Sequence, residues 1–196
     1  MPSLQESKLA FIGGGNMASA IITGLVGQGA NKQNITVSEP WDVNREKIAT
    51  IGVQTTTSNV EAGKEAGLIV IAVKPQVAKG VCKELGEAWS QRATLPVVVS
   101  IAAGITLVSL EEWLKTSDGR TPHAVRVMPN TPALVNEGAS GAFASKDVTD
   151  DERALVDALL GSVSKTIEWL SDEKLLDVVT SLSGKLRIAI AGNEPS

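Results

Sequence analysis

The stretch KLAFIGGGNMASAIITGLVGQG, residues 8–29, decides the fold. It begins with a short apolar segment, passes through three consecutive glycines and ends in a segment whose small and apolar residues recur at helical spacing. This order predicts a β-strand, a tight turn and an α-helix that begins near Asn16. Dinucleotide-binding folds use these three parts to hold a pyrophosphate, because the N–H groups at the start of the helix attract an anion.

Each small residue of this turn has a separate predicted role. Gly13 lets the chain turn sharply after the strand, and Gly15 lets the backbone approach the phosphates because it has no Cβ. Ala18 takes the third small position, where helix and strand pack closely. The alternative is a glycine-rich turn between strand and helix that binds no ligand.

Composition and charge exclude several classes of function. The chain has 196 residues, 43% of them hydrophobic, and a formal net charge of −4 without a basic run, so we expect no nucleic-acid partner. Cys82 is the only cysteine and His123 the only histidine, so we expect neither an internal disulfide nor a metal site. The start MPSLQESK lacks a signal peptide's apolar core, and apolar runs reach only about six residues. We therefore expect a cytoplasmic protein without membrane contact.

Apolar runs and helical patterns alternate along the whole chain. After the first strand, further strands are predicted at residues 35–38, near 53, and at 68–73, 95–101, 125–128, 141–144 and 166–169. Further helices are predicted at residues 43–51, from 58, from 75 to about 89, at 106–115 and at 149–162, with capping boxes at Ser58/Glu61 and Thr149/Glu152. This alternation predicts an α/β fold, a Rossmann-type doubly wound and mostly parallel sheet with helices on both faces. Residues 1–170 are expected to form one domain.

Ligands of such sheets bind beyond the carboxyl ends of the strands. The second strand ends in Ser38-Glu39-Pro40, about twenty residues after Ala18. An acidic residue there favours the ribose hydroxyls of NAD, whereas Ser38 and Arg45 favour NADP, so the sequence leaves the choice open. Glu39 can equally be a solvated charge at a strand end.

Other strand ends carry further candidates. Lys74 follows a buried strand, and Asn59 lies at a strand-to-helix junction; a surface lysine and ordinary helix-start chemistry are the alternatives. Ile101, Ala102 and Ala103 are small enough or apolar enough for a flat ring to lie against the backbone. The prolines around Asn130-Thr131 fix a loop that presents an amide and a hydroxyl, either as a site wall or as a structural turn.

Three catalytic schemes are absent from the sequence. It contains no G-x-S-x-G elbow, no Cys/His nucleophile pair and no phosphate-binding G-x-x-x-x-G-K-[ST] loop. His123 precedes a predicted strand without an evident partner, which favours a structural role over a catalytic one.

Four motifs occur in a characteristic order: FIGGGNMASAI, AVKPQ (residues 72–76), SIAAGIT (100–106) and RVMPNTPALVNEGA (126–139). With them the chain resembles the pyrroline-5-carboxylate reductases from about residue 8 to residue 184. The resemblance implies NAD(P)H-dependent reduction of 1-pyrroline-5-carboxylate to L-proline, the last step of proline biosynthesis. It places Asn130, Thr131 and Lys74 near the nicotinamide as candidate catalytic residues. The implied cofactor-binding residues are Ile12, Gly13, Gly14, Gly15, Asn16, Met17, Ala18, Ser38, Glu39, Pro40, Asn59, Ala72, Val73, Lys74, Pro75, Ile101, Ala102 and Ala103.

The resemblance ends after residue 184. Residues 177–184 resemble the opening of the family's second, all-helical domain, which forms the dimer and supplies much of the imino-acid pocket. Here the sequence continues as KLRIAIAGNEPS, so residues 171–196 are expected to be the start of a truncated helical domain with a divergent tail. A catalytically incomplete dinucleotide-binding module, and another imine or hydroxyacid reductase on the same scaffold, remain alternative functions.

Overall fold

One mixed sheet organises the part of the chain that the computed structural model describes, which is residue 4 and residues 6–129 and 138–176. Its strands are β1 (Leu9–Ile12), β2 (Ile35–Ser38), β3 (Gln54–Thr56), β4 (Leu68–Ile71), β5 (Val97–Ser100), β6 (Ala124–Pro129), β7 (Gly138–Ala144) and β8 (Ser164–Trp169). The helices of these residues are α1 (Asn16–Gly27), α2 (Asp42–Ala49), α3 (Asn59–Gly63), α4 (Pro75–Ala88), α5 (Leu107–Trp113) and α6 (Asp150–Leu160). Short 3₁₀ turns lie at Lys32–Asn34 and Trp89–Gln91.

The strand order is β3-β2-β1-β4-β5-β6-β7-β8. All neighbours are parallel except β6 and β7, which pair antiparallel. The order reverses between β1 and β4, because the chain builds outward from β1 to β3 and then returns to the other side of β1. The predicted doubly wound, mostly parallel α/β sheet is confirmed.

Two apolar cores lie on the two faces of this sheet. Along β1, Leu9 and Phe11 belong to one core, and Ala10 and Ile12 belong to the other. Because side chains alternate between the faces of a strand, a strand covered on both sides must be apolar throughout. Helices α1, α2 and α6 contribute to the first core, and α3, α4 and α5 to the second.

The helix starts follow the predicted caps with one exception. At α6 the hydroxyl of Thr149 accepts the Glu152 N–H and the carboxylate of Glu152 accepts the Thr149 N–H, so the capping box is confirmed. At α3 the hydroxyl of Ser58 accepts the Glu61 N–H, but Glu61 accepts a hydrogen bond from the Thr56 hydroxyl instead. The reciprocal half of that predicted box is therefore wrong, because the Thr56 hydroxyl at the end of β3 accepts the Ser58 N–H at 3.2 Å and donates to the Glu61 carboxylate.

The segment after β8 returns to the carboxyl side of the sheet. Glu173 Oε1 accepts hydrogen bonds from Arg126 Nη1 at 2.6 Å and from the Leu107 N–H at 2.5 Å. Leu176 is fully buried. The predicted helical start at residues 171–196 is described only as far as Leu176, and residues 177–196 lie outside the described residues.

Within the described residues, no helix is long and apolar enough to cross a membrane.

Candidate functional site

A cleft of about 650 Å³ opens beyond the carboxyl ends of β1 and β4, where the strand order reverses. This is the position at which open α/β sheets bind their ligands. Its lining comes from the turn after β1, the end of β2 with the start of α2, the start of α3, and the β4–α4 connection. The lining residues are Gly13, Gly15, Ser38, Glu39, Pro40, Trp41, Asn44, Asn59, Ala72, Val73, Lys74, Val77 and Val81.

Gly13 closes the turn between β1 and the cleft. Its φ of +100° lies in the region that favours glycine, and a Cβ there would stand 2.6 Å from the Ala72 carbonyl oxygen. Its N–H donates to the Ser38 carbonyl at 2.8 Å, and the Ala72 N–H donates to the Ile12 carbonyl at 2.8 Å. The turn is thereby tied to the ends of both strands that flank β1.

Gly15 is different, because no heavy atom lies within 4 Å of a Cβ built on it. Its φ of −69° and ψ of −177° suit any residue, so the fold does not require glycine here. Gly15 is the N-cap of α1 and offers no side-chain cap, and the first turn of α1 carries no acidic residue. The start of the helix therefore presents backbone donors and a positive dipole end to the cleft.

Glu39 is nearly buried, with 5% of its surface exposed. One carboxylate oxygen accepts the Gly14 N–H at 2.7 Å, and the other accepts the Trp41 N–H at 3.0 Å. Arg45 Nη1 donates to the Glu39 carbonyl at 3.0 Å and Nη2 pairs with Asp42. Glu39 thus joins the glycine turn to the start of α2 by hydrogen bonds. Because Glu39 also lines the cleft, its contact with a ribose stays a prediction.

A chain of polar side chains joins the end of β2 to α4. The hydroxyl of Ser38 donates to Asn59 Oδ1 at 2.7 Å, and Asn59 Nδ2 donates to Glu84 at 2.8 Å. Ser38 is buried and Asn59 is half-buried, so both are held in fixed orientations beside the cleft. The sequence indicated Ser38 and Asn59 but neither the hydrogen bond between them nor the bond from Asn59 to Glu84, which lies in the middle of a helix.

Lys74 is the exposed N-cap of α4, which begins at Pro75. It lines the same cleft as Gly15. Its ammonium group therefore adds a positive charge to a cleft that the start of α1 already makes favourable for anions.

Nine of the residues predicted to bind the cofactor line this cleft: Gly13, Gly15, Ser38, Glu39, Pro40, Asn59, Ala72, Val73 and Lys74. The others lie beside it or further away. Ile12 is buried in β1, Gly14 is buried behind the turn, and the first turn of α1 holds Asn16, Met17 and Ala18. Pro75 begins α4, while Ile101, Ala102 and Ala103 follow β5, where the Ile101 N–H donates to the Ile71 carbonyl at 3.0 Å. Asn130 and Thr131 lie outside the described residues.

Four residues of the cleft wall were missed by the sequence analysis: Trp41, Asn44, Val77 and Val81. Two features of the sequence could have indicated three of these residues, all except Asn44. Trp41 follows the strand-end segment Ser38-Glu39-Pro40 directly, and Val77 and Val81 are one turn apart on the helix that Pro75 begins.

The cysteine and the histidine take structural positions. Burial raises the pKa of the Cys82 thiol to about 12, so it is neither charged nor nucleophilic at neutral pH. His123 Nδ1 lies 2.8 Å from Glu152 Oε2, so the histidine braces the start of α6. No group of three His, Cys, Asp or Glu side chains that could hold a metal ion occurs among the described residues.

The cleft fits a dinucleotide by its chemistry. Backbone donors and Lys74 suit a pyrophosphate, and the Ser38–Asn59 pair offers polar groups for a ribose. Trp41, Val77 and Val81 provide apolar surface for a flat ring. The open space in front of Gly15 leaves room for a phosphate close to the backbone.

Known proteins share this arrangement. The sequence profile of the family described as "NADP oxidoreductase coenzyme F420-dependent" matches residues 8–104. The chain is 42% identical to a pyrroline-5-carboxylate reductase of Pseudomonas aeruginosa over 182 residues, which are 92% of this chain and 64% of that protein. The chain therefore spans 64% of the length of this curated relative.

Solved structures agree with the sequence relatives. A pyrroline-5-carboxylate reductase from Coxiella burnetii superposes with a TM-score of 0.83 at 35% identity, over 94% of this chain and 66% of that one. A pyrroline carboxylate reductase of Plasmodium falciparum, solved with NADP bound, gives a TM-score of 0.74 at 28% identity, over 95% and 66% of the two chains.

Proposed function

We propose that this chain belongs to the pyrroline-5-carboxylate reductase family, as its relatives in sequence and structure support, and that it binds NADPH or NADH and serves the reduction of 1-pyrroline-5-carboxylate to L-proline. The small-molecule substrate is a cyclic imino acid. The chain spans 64% of the length of its curated relative. The contribution of the described residues to the proposal is the cleft for the cofactor.

One observation carries the proposal: the glycine turn after β1, the end of β2 and the β4–α4 connection meet in a single cleft at the reversal of the sheet. The three segments are far apart in sequence, and each supplies a different group that a dinucleotide needs. The P. falciparum pyrroline carboxylate reductase, which was solved with NADP bound, supports the same choice of ligand.

The reduction needs little from the protein besides positioning. When bound, the reduced nicotinamide supplies the hydride that the C=N carbon of the imine accepts. A proton on the imine nitrogen makes that carbon electrophilic and remains on the product amine, so no strong protein acid is required. In this proposal Gly15 and Lys74 would hold the pyrophosphate, the Ser38–Asn59 pair would offer polar groups to the ribose, and the ring would be oriented beyond the end of β4. Geometric errors of about 1 Å can cost about 100-fold in rate, which makes this orientation the main catalytic contribution.

The experiment is oxidation of NADPH and of NADH, followed at 340 nm, by the purified chain with 1-pyrroline-5-carboxylate. For a reductase we expect L-proline as the product, and a rate that saturates with the concentration of each substrate. The binding of NADPH is measured in parallel by calorimetry. A folded chain that binds neither NADPH nor NADH contradicts the proposal.

A second candidate function has one observation in its favour: the cleft at the reversal of the sheet supplies groups that suit a dinucleotide. In this alternative the chain is a dinucleotide-binding module without turnover of its own. Binding of NADPH without oxidation in the presence of the imino acid is the result that selects it.

A further inference from the structure

Trp41 is the largest exposed apolar side chain of the cleft wall. Its surface is 74% exposed, although the cleft it lines is well formed. Large aromatic side chains left open to water at the wall of a cleft are typical of ligand contacts, because their burial is completed only by the ligand. The indole makes none of the hydrogen bonds described above for the glycine turn, and it belongs to neither apolar core.

The backbone that carries the indole is fixed. The Trp41 N–H donates to Glu39 Oε1 at 3.0 Å, and the Trp41 carbonyl accepts the Arg45 N–H at 2.9 Å in the first turn of α2. The Arg45 guanidinium also holds the carbonyl oxygens of Glu39 and Pro40. The exposed side chain is therefore attached to a backbone that hydrogen bonds hold on both sides, so a ligand contact does not have to order that backbone.

Apolar side chains of α4 line the same cleft. Val77 is 53% exposed and Val81 is half-buried, and the two lie one turn apart on the same side of the helix. Ser38 and Asn59 add hydrogen-bonding groups to the wall between β2 and α4. A flat heterocycle with polar edges matches this combination, with its face on the indole and its edge toward the polar pair.

The anion-binding groups identify which heterocycle this is. Gly15 and Lys74 follow β1 and β4, whereas Trp41 follows β2, the next strand outward in the sheet. The base attached to the ribose on the β2 side of the pyrophosphate is the adenine. We propose that the indole of Trp41 stacks on the adenine of the dinucleotide and sets the affinity of the chain for the adenosine half of its cofactor. This inference rests on the proposed binding of NADPH or NADH.

The test compares Trp41→Ala and Trp41→Phe with the unchanged chain, with Val43→Ala as the matched control. Val43 is two residues further along, is 80% exposed and does not line the cleft. Calorimetry gives the Kd for NADPH, for ADP and for reduced nicotinamide mononucleotide, which lacks the adenosine. Stacking on one base is worth at least about a fivefold change in Kd. Trp41→Ala is expected to raise the Kd for NADPH and for ADP by at least that factor and to leave the Kd for the mononucleotide unchanged. For Trp41→Phe, each Kd is expected to stay within about threefold of that of the unchanged chain.

Fluorescence gives a second readout that a purely structural role would not move. The other tryptophans are engaged elsewhere: Trp89 is buried, Trp113 lies near Lys79, and Trp169 donates to Asp157. ADP is expected to quench the emission of the unchanged chain, and Trp41→Phe is expected to bind ADP without that quenching.

Two failures are distinguishable. If the unchanged chain binds neither NADPH nor ADP, the proposed function fails. The adenine contact is refuted, while the proposed function stands, in two cases in which the unchanged chain binds both ligands. Either Trp41→Ala has the same Kd for NADPH and ADP as the unchanged chain, or its Kd for the mononucleotide rises by the same factor as its Kd for NADPH.

Discussion

At the residue scale, the two glycines of the first turn have different reasons to be glycine. Gly13 is required by the fold, since a Cβ at its φ of +100° would meet the Ala72 carbonyl at 2.6 Å. Gly15 has an ordinary conformation and open space in front of it, so the fold does not require glycine there and its backbone is open to a phosphate. The sequence predicted the sharp turn at Gly13, and the approach of a phosphate to Gly15 stays a prediction. The structure separates the glycine that the turn requires from the one that faces the cleft.

Glu39 marks the limit of sequence reasoning at this scale. An acidic residue at the end of a second strand predicts a contact with ribose. In the structure both carboxylate oxygens accept backbone N–H groups, from Gly14 and from Trp41. Such local hydrogen bonds depend on the path of the β2–α2 connection, which no motif encodes.

The Cys82 thiol gives a prediction for alkaline pH. Burial raises its pKa from 9.0 to about 12, so the unfolded chain loses this proton before the folded chain does. The thiol's contribution to stability is therefore complete below about pH 9 and is lost as the pH rises toward 12. Urea unfolding at pH 8 and pH 10 should show the stability advantage of the unchanged chain over Cys82→Ala shrinking by about 1 kcal/mol. A constant advantage would mean that the thiol is not protected by burial.

At the element scale, strands and helices were predictable where a periodic pattern met a clear boundary residue. Pro75 begins α4, Thr149 caps α6, and residues 35–38 form β2 as predicted. The antiparallel pairing of β7 with β6 was not predicted. No helical pattern separates the two strands, and parallel neighbours need a crossover of about a dozen residues or more. That absence was the available signal.

The capping box of α6 gives a prediction with a built-in control. Glu152 accepts the Thr149 N–H at 2.8 Å and also contacts His123, whereas Glu61 of the incomplete box at α3 accepts only a side-chain hydroxyl. Loss of a cap costs about 1 kcal/mol. Glu152→Ala should therefore lower the free energy of urea unfolding by about 1 kcal/mol, and Glu61→Ala by a few tenths. Equal losses would show that the reciprocal bond of α6 adds nothing.

At the scale of the whole molecule, the Glu173 carboxylate fastens the segment after β8 to the domain. It accepts hydrogen bonds from Arg126 of β6 and from the first N–H of α5, and only 5% of the Arg126 side chain is exposed. Sequence analysis placed a domain boundary near residue 170 but gave no sign of this contact, which joins residues 47 positions apart.

Removing one partner of a buried ion pair costs about 3 kcal/mol, because the charge that stays buried loses the hydrogen bond and the opposite charge that compensated its burial. We expect Glu173→Ala to lower the free energy of unfolding by about that amount. The control is Glu65→Ala, since the Glu65–Lys8 pair is exposed and exposed pairs contribute little. Equal, small effects of the two substitutions would contradict the anchoring role of Glu173.

Gly15→Asp tests whether the cleft at the reversal of the sheet binds a dinucleotide. Aspartate suits an N-cap and the backbone of Gly15 accepts it, so the variant should keep its fold while its charge opposes a pyrophosphate. Gly67→Asp is the control, since Gly67 is exposed, has equally open space and lies at the amino end of β4.

The measurement is the Kd for NADPH of the unchanged chain and of both variants, by calorimetry, with the thermal midpoint of each. The account predicts binding by the unchanged chain and by Gly67→Asp, and no detectable binding by a folded Gly15→Asp. Unchanged affinity of Gly15→Asp would contradict it.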